Sequence, residues 1–295
     1  MKALVLDLDG SVLPLQAERR IALQDWQECL RFSCRMSDLD ALGDLLAEHC
    51  QGPVPVFMGS GDFHHLGIPL IRARRTMGMD VVVLDNHPDN MRFPWGVHCG
   101  SWVAHVAAMP EVHAVHVVGI HAADVRLGHF WEQVWGPLYQ AKVHYWTVQV
   151  PVEYARWVGL SKVIHGFDTV DGMLEALDQH LDAQRPVYLS VDKDVLNVED
   201  VRTNWDQGVM RQHELFEVLD ALRSRLIGVD VTGEVSVYRY QNAWKRRLSA
   251  LDGQQAHQPA NTEELQKWQQ DQQRFNQSFL ARLQPEADSL HKLGR

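Results

Sequence analysis

The stretch VVVLDNHPDN, residues 81–90, joins an apolar run to a group of polar side chains. The run Val81–Leu84 lacks apolar/polar alternation, which is typical of a strand buried on both faces. The polar part follows the pattern Asp85-x-His87-x-Asp89, and alternate side chains of an extended segment point to the same side. Carboxylates and imidazoles are common ligands of divalent metal ions. The stretch therefore predicts a buried strand that leads into a candidate metal site.

Further β-rich runs recur along the chain and are separated by segments with helical periodicity. The runs are PVFMG (55–59), AVHVVGI (114–120), PVYLSVD (186–192) and LIGVDV (226–231), and the clearest helical segments are 170–184 and 211–225. This alternation predicts an α/β fold with three layers, in which helices cover both faces of a mainly parallel sheet. Ligands of such sheets bind beyond the carboxyl ends of the strands.

The ends of the runs carry an unusual concentration of acidic and histidine side chains. They read GSGDFHH (59–65), DNHPD (85–89), SVDKD (190–194) and DVTGE (230–234). Four carboxylates and two imidazoles would meet at one sheet edge, and so much negative charge is costly unless cations neutralise it. Two divalent ions would do so. Oxygen-rich ligation suits Mn²⁺ better than structural Zn²⁺, with Zn²⁺ or Fe²⁺ as alternatives.

GSGDFHH, DNHPD and SVDKD resemble the signature blocks of the ureohydrolases, the family of arginase, agmatinase and formiminoglutamase. The resemblance covers residues 1–240. It implies an arginase-like α/β/α fold, two Mn²⁺ ions and hydrolysis of a guanidino or related C–N bond. By resemblance, the metal ligands are Asp85, His87, Asp89, Asp192, Asp194 and one histidine of GSGDFHH. That block is one residue longer than the family's G-G-D-H, so His64 is preferred and His65 remains open.

The same resemblance implies roles for residues around the ligands. His98, in HCGSW, corresponds to a histidine that transfers protons or faces the substrate. Asp89 is implied as a catalytic residue besides its role as ligand. Glu234 is similar to the glutamate that grips the guanidinium and is counted as both catalytic and substrate-binding. Asp124 and Asn90 are the other candidate substrate-binding residues.

The sequence departs from the family pattern where the substrate would be selected. Asn197 stands where an Asp is usual, and no arginine-specific residues are recognisable after the DNHPD block. The favoured function is therefore hydrolysis of a guanidino compound to urea and an amine, without a defined substrate. Amide or formimino hydrolysis on the same fold is one alternative, and a non-catalytic metal-binding scaffold is another.

A third alternative arises from DLDGS, residues 7–11. This stretch resembles the first motif of the haloacid dehalogenase-like phosphatases, in which Asp7 and Asp9 would be the nucleophile and the proton carrier. That hypothesis leaves the DNHPD and SVDKD blocks unexplained. We therefore interpret DLDGS as a first strand that ends in an Asp-Gly turn, with its carboxylates bound to nearby backbone.

Composition narrows the class of partner and the compartment. The chain has 38 acidic and 28 basic residues, a formal charge of -10 and no Lys/Arg-rich stripe, which argues against nucleic acid as partner. Its four cysteines form no C-x-x-C pair, and it has no apolar run of membrane-spanning length. We expect a cytoplasmic homo-oligomer that acts on a small guanidino or amide substrate. The chain has an unusually high number of histidines, sixteen, and the candidate site uses only some of them.

The composition changes near residue 241 to Gln, Asn, Lys and Glu. We predict a hydrolase domain over residues 1–240 and a polar, helical extension over 241–295. Within the extension, residues 260–284 have helical periodicity, and Asn261 and Glu264 have the spacing of a capping box. The extension is expected to pack on the domain or on a neighbouring subunit.

Overall fold

The computed structural model describes residues 2–49, 52, 54–251 and 258–284. A nine-stranded parallel sheet forms its centre, in the order β2-β1-β4-β11-β10-β5-β7-β8-β9, and β3 and β6 form a small antiparallel pair. The strands are β1 Ala3–Asp7, β2 Glu18–Ala22, β3 Ser33–Cys34, β4 Pro55–Phe57, β5 Met79–Leu84, β6 Val97–His98, β7 Val112–Ile120, β8 Val143–Val148, β9 Ile164–Phe167, β10 Val187–Asp192 and β11 Leu226–Thr232.

Helices connect the strands and cover both faces of the sheet. They are α1 Gln27–Leu30, α2 Met36–Leu46, α3 Gly67–Arg72, α4 Val103–Ala107, α5 Trp135–Tyr139, α6 Tyr154–Trp157, α7 Val170–His180, α8 Gln212–Leu222, α9 Ala243–Leu251 and α10 Thr262–Leu283. Short 3₁₀ helices include Gly61–Leu66, directly after β4, and Lys193–Val195, directly after β10. The predicted three-layer α/β fold with a mainly parallel sheet is confirmed.

Two apolar cores lie on opposite faces of the sheet. Helices α2, α3 and α4 contribute to one core, in which strand residues such as Val81 and Val83 are buried. Helices α7, α8 and α10 contribute to the other, together with Val82 and Leu84 of the same strand. Because alternate residues of β5 enter different cores, every residue of the strand is buried, as its unbroken apolar run predicts.

The polar C-terminal segment packs on this chain's own sheet layer. In α10, Phe275 and Phe279 are fully buried and belong to the second core. Asn261 caps the helix as predicted, because its side chain accepts from the backbone N–H of Glu264 at 2.9 Å. Residues 252–257 and 285–295 of the predicted extension lie outside the described residues.

Two compositional features have structural counterparts. Among the described residues, no helix combines the length and apolar character needed to span a membrane. Cys29 and Cys34 are free thiols, and Cys99 is buried with its Sγ 3.8 Å from His98 Nδ1. Cys50 lies outside the described residues.

Candidate metal centre and cavity

His64 lies within a group of carboxylates at the carboxyl edge of the sheet. Its Nδ1 is 3.1 Å from Asp85 Oδ2, 3.0 Å from Asp89 Oδ2 and 3.6 Å from Asp192 Oδ2. His64 is carried by the 3₁₀ helix after β4, whereas the carboxylates follow β5 and end β10. Parallel strands bring their carboxyl ends to one edge, so three separate sequence blocks meet there.

A second group surrounds His87. Its Nδ1 is 3.0 Å from Asp194 Oδ2 and 3.5 Å from Asp85 Oδ1. The ligand atoms of His64, Asp85 and Asp89 lie within 4.8 Å of one another, and so do those of Asp85, His87 and Asp194. Asp85 is common to both groups and would therefore contribute to both if each held an ion.

The chemistry of these residues fits divalent cations. Within the described part of the chain, His64 Nδ1 and Asp85 Oδ2 are buried and have no hydrogen-bond partner of proper geometry, although they face each other. Buried polar atoms are normally satisfied, so two such atoms aimed into one cluster fit the ligation of a cation. Oxygen-rich donors with two imidazoles are typical of Mn²⁺ and similar ions.

The pKa values of the clustered acids also fit the binding of cations. Burial, followed by repulsion from the Asp85 carboxylate, raises the pKa of Asp89 to about 7. Burial also raises the pKa of Asp192 to about 6, with Asp85 again contributing. Without cations the cluster therefore retains protons close to neutral pH. Bound cations would replace those protons, because they stabilise the ionised carboxylates.

A buried hydrogen-bond relay orients His64. Its Nε2 lies 3.0 Å from Ser190 Oγ, and the Ser190 hydroxyl donates to Asp230 Oδ1 at 2.6 Å. Tyr188 donates to the other oxygen of Asp230 at 2.7 Å. Such contacts fix the ring of a ligating histidine and leave its other nitrogen facing the metal position.

Asp206 orients His87 and was not identified from the sequence. Its Oδ1 lies 2.8 Å from His87 Nε2. Its backbone carbonyl and Oδ2 accept from the side-chain amide of Asn86 at 3.0 Å and 3.2 Å. The residue lies in an irregular loop after β10, where no strand-end pattern marks it. A D-Q-G turn is the only local signal, and such turns are common.

Backbone geometry places the remaining ligands. Asp89 has a φ of +45°, and its Oδ2 accepts from the indole N–H of Trp102 at 2.7 Å. Gly233 has a φ of +90°, and a Cβ there would lie 2.5 Å from Asp192 Oδ1. Glycine is therefore required beside this ligand, because any side chain would displace the carboxylate.

The cluster opens into a cavity of about 470 Å³. Five predicted ligands line it, and so do two other predicted site residues, His98 and Asp124. His98 is buried, and its Nδ1 accepts from Gly100 N at 2.9 Å. The cavity residues are Gly61, Asp85, His87, Pro88, Asp89, Met91, His98, Cys99, Gly100, Asp124, His129, Glu132, Gln133, Asp192, Asp194, Trp205 and Asp206. Burial raises the pKa of Asp124.

Two predicted substrate-binding residues do not line this cavity. Glu234 is buried behind the ligand loop, where its Oε1 accepts from Lys193 Nζ at 2.5 Å and from Asn276 Nδ2 at 2.7 Å. The amide nitrogen of Asn90 donates to Val134 O at 3.1 Å and to the Tyr145 hydroxyl at 2.7 Å. Both side chains are thus engaged with protein groups that hold neighbouring segments together.

The alternative sixth ligand, His65, belongs to neither ligand group. It is fully buried, and burial lowers the pKa of its imidazole to about 3. The structure therefore brings His64, and not His65, to the carboxylates.

The DLDGS stretch does not contribute to the cavity. Asp9 accepts from the backbone N–H and hydroxyl of Ser11, at 3.1 Å and 2.6 Å, and lies 3.3 Å from Arg31. Arg31 is buried, and its Nε lies 2.6 Å from Asp62. Asp7, at the end of β1, faces the side chain of Arg20 at 3.4 Å. These contacts agree with the interpretation of DLDGS as a strand followed by a turn.

Sequence comparison gives little information. No family model matches the chain. An uncharacterized protein of Thermotoga maritima is 27% identical over 199 residues, an alignment that covers 66% of this chain. The chain matches 65% of the length of that relative.

Comparison of structures is more informative. Arginase from Bacillus cereus aligns with a TM-score of 0.53 at 13% identity, over 88% of this chain and 99% of that one. Proclavaminate amidino hydrolase from Streptomyces clavuligerus gives 0.52 at 16% identity, over 92% of both chains. Agmatine ureohydrolase of Thermoplasma volcanium gives 0.51 at 11% identity, over 95% and 90%. The chain therefore has the arginase-like α/β fold that these ureohydrolases share.

Proposed function

We propose that this chain is a divergent ureohydrolase. It would require two Mn²⁺ or similar ions and would hydrolyse a C–N bond of a guanidino compound, releasing urea and an amine. The observation that carries the proposal is the buried cluster of four carboxylates and two imidazoles beside the cavity, with Asp85 shared between two ligand groups. His64, Asp85, Asp89 and Asp192 would hold one ion, and Asp85, His87 and Asp194 the other.

The chemistry that such ions supply when bound is ionisation of water near neutral pH. The reaction adds water to the guanidinium carbon, breaks the bond to the substituted nitrogen and transfers a proton to the departing amine. His98 is the candidate for that transfer. Because its Nδ1 accepts from Gly100 N–H, Nε2 is the ring nitrogen that would exchange protons. Proton transfer by a positioned histidine contributes about 10²–10⁴-fold to a rate.

Acidic side chains of the cavity favour a cationic substrate. Asp124, Glu132 and Asp206 line the cavity outside the ligand cluster. A carboxylate that faces a guanidinium can accept two hydrogen bonds in a fork geometry. Asp124 is better placed for this role than Glu234, because Glu234 is bound to Lys193 and Asn276. Asp124 is thus the substrate-binding acid in our proposal.

The contacts of Glu234 also support a second candidate function. Glu234 does not line the cavity, so one charge that would hold a guanidinium is absent there. An amide or formimino group is the alternative substrate. The same ligands and His98 would serve this reaction, because both substrates lose an amine or ammonia after water adds to an sp² carbon. The nitrogen product separates the two candidates.

A substrate panel tests the proposal. Guanidino, amide and formimino compounds are incubated with the Mn²⁺-treated protein, and urea and ammonia are measured. We expect urea from at least one guanidino compound, with kcat lowered about 10²-fold or more in His98→Asn. His213→Asn, at an exposed histidine of α8, is the matched control and should keep full activity. Ammonia without urea would favour the second candidate, and no product from any compound would contradict both.

The proposal includes a cytoplasmic homo-oligomer. Tyr139 and Trp157 are large exposed side chains, at 56% and 73% exposure, and they are close together because the Tyr139 hydroxyl donates to Val158 O. Clustered exposed aromatic residues are typical of interaction surfaces. Light scattering of the purified chain measures the subunit number directly, and a monomeric mass would remove this part of the proposal.

A further inference from the structure

Three histidines far apart in sequence meet on the sheet face that α7 covers. His116 lies in β7, His144 lies in β8 and His180 is the last residue of α7. One ring nitrogen from each lies within 4.8 Å of the other two. His116 and His144 are register partners in adjacent strands, and their rings stack with centroids 4.9 Å apart.

This histidine cluster lies towards the amino ends of the strands, whereas the cavity lies at their carboxyl ends. His144 is the second residue of β8, whereas the cavity residues follow the carboxyl ends of their strands. Helix α7 begins after β9 and runs back across the sheet, so its last residue returns to the amino edge. The cluster and the candidate metal centre therefore share no residue.

His144 has a ring nitrogen prepared to bind a ligand. Its Nε2 lies 3.2 Å from the carbonyl oxygen of Ala141. A carbonyl can only accept, so Nε2 carries the hydrogen and Nδ1 keeps a lone pair. In the described residues this Nδ1 is buried and has no hydrogen-bond partner. A histidine whose other N–H is bound to a backbone carbonyl is typical of metal ligation.

We propose that His116, His144 and His180 form a further metal site, independent of the candidate hydrolytic centre, for an ion that prefers imidazole ligands. Zn²⁺ is the ion that we assign, since neutral imidazoles suit Zn²⁺ better than Mn²⁺ or Mg²⁺. Three protein ligands leave a fourth tetrahedral position. His180 is the exposed member of the three, so an ion would reach the site from its side.

Binding an ion would require the three ring nitrogens to move closer together. Zn–N bonds of about 2.0–2.1 Å place the nitrogens of a tetrahedral site roughly 3.3 Å apart, against the 4.8 Å limit within which they lie here. His180 can supply this movement, because it is exposed at a helix end. The contact that opposes ligation is a long hydrogen bond of 3.4 Å from the indole N–H of Trp146 to His116 Nδ1.

The competing explanation is a packed row of aromatic rings. His165 extends the row, since its ring stacks on Trp146 with centroids 4.4 Å apart. Packing alone accounts for the stacked rings of His116 and His144. It does not account for the buried lone pair of His144 Nδ1, which a hydrophobic side chain would avoid.

The test compares the zinc content of variants that share the same hydrolytic centre. Wild type, His180→Ala, His144→Gln and the control His213→Ala are each equilibrated with Zn²⁺ by dialysis, and bound metal is counted by elemental analysis. We expect His180→Ala and His144→Gln to bind one ion fewer per chain than wild type. His213→Ala should match wild type. All four proteins keep the same cavity, so any ions bound there do not change the difference in zinc content between them. The result therefore does not depend on the proposed function.

Thermal unfolding provides a second measurement. Zn²⁺ should raise the Tm of wild type more than that of His180→Ala, because an ion that binds the native state stabilises it. His180 is exposed, so its replacement leaves folding intact even if His144→Gln lowers stability. Equal zinc content and an equal Tm response in wild type and His180→Ala would overturn the proposal and leave the row of rings as packing.

Discussion

His87 lies between two carboxylates, with Nδ1 3.0 Å from Asp194 Oδ2 and Nε2 2.8 Å from Asp206 Oδ1. One contact is to a candidate metal ligand and the other is to a loop residue whose side chain is more than half exposed. If a metal ion bound His87 Nδ1, the Nε2 of the same ring would still contact Asp206. The loop after β10 therefore completes a site whose main ligands come from strand ends.

The first prediction concerns this contact. Asp206→Ala should lower the affinity for Mn²⁺ about 10–100-fold, the usual cost of losing the partner that orients a ligating histidine. The fold should persist because Asp206 is exposed. Isothermal titration with Mn²⁺ measures the affinity, and Asp178→Ala, at an exposed carboxylate of α7, is the control. An unchanged affinity in Asp206→Ala would show that His87 does not need this partner.

The second prediction concerns the buried pair of Lys193 and Glu234. Each single change, Lys193→Met or Glu234→Gln, leaves a buried group without its partner and should cost about 3–5 kcal/mol of unfolding free energy. The double variant should lose less unfolding free energy than the two single variants lose together. Urea unfolding measures these energies. Asp40→Asn breaks the exposed pair with Arg72, at 2.8 Å, and should cost about 1 kcal/mol or less.

The same variants decide the role of Glu234 in catalysis. If Glu234→Gln keeps its stability and loses turnover on a guanidino substrate, the residue contacts substrate and the structural explanation fails. We expect the reverse, a large loss of stability with turnover per folded chain retained.

A third prediction separates the two acids of DLDGS. Asp9→Asn removes the charge that faces buried Arg31 and should cost about 1.5–3 kcal/mol. Asp7→Asn affects a more exposed contact with Arg20 and should cost about 1 kcal/mol or less. Hydrolytic activity should remain within a few-fold in both folded variants. Phosphate release from p-nitrophenyl phosphate by wild type, abolished in Asp7→Asn, would instead support the phosphatase alternative.

A fourth prediction follows from the buried imidazoles of the histidine cluster. Burial, together with the electrostatic effect of His180, lowers the pKa of His144 to about 4. The unfolded chain therefore binds the proton first, at an ordinary pKa of about 6.5. The stability that neutral His144 provides is complete above that pH and is lost as the pH falls towards 4. The slope is up to about 1.4 kcal/mol per pH unit.

The measurement uses chelator-treated protein so that bound metal does not contribute. Urea unfolding of wild type and His144→Gln is compared from pH 7 to pH 4.5. The raised pKa values of Asp89 and Asp192 act in the opposite direction, because the native state there holds protons that the unfolded state releases. That effect is common to both proteins and cancels in the difference. Identical pH slopes would mean that the pKa of His144 is the same in the native and unfolded states.

The sequence was most informative where local pattern and chemistry coincide. Unbroken apolar runs such as Val81–Leu84 predict buried parallel strands, and such strands end at one edge, so the meeting of DNHPD and SVDKD could be expected. His64 could be preferred over His65 only by resemblance. The structure supplies the physical reason, because the 3₁₀ helix after β4 directs His64 towards Asp85 and Asp89.

Residues whose positions depend on distant segments could not be predicted. Asp206 reaches His87 from a loop without secondary structure. Glu234 ends a strand run, which made the cavity its expected place, but Asn276 of α10 binds it from 42 positions further along the chain. Arg31 forms ion pairs with both Asp9, which follows β1, and Asp62, which follows β4. Long-range packing decides such contacts, and local patterns do not encode it.

The C-terminal helix α10 is tied to the ligand loop through a short series of contacts. Asn276 donates to Glu234, Glu234 accepts from Lys193, and Lys193 stands between the ligands Asp192 and Asp194. Gln272 of the same helix donates to the carbonyl of Gly233 at 2.8 Å. Substitutions on the inner face of this helix are therefore expected to alter metal binding at the candidate centre without touching a candidate ligand.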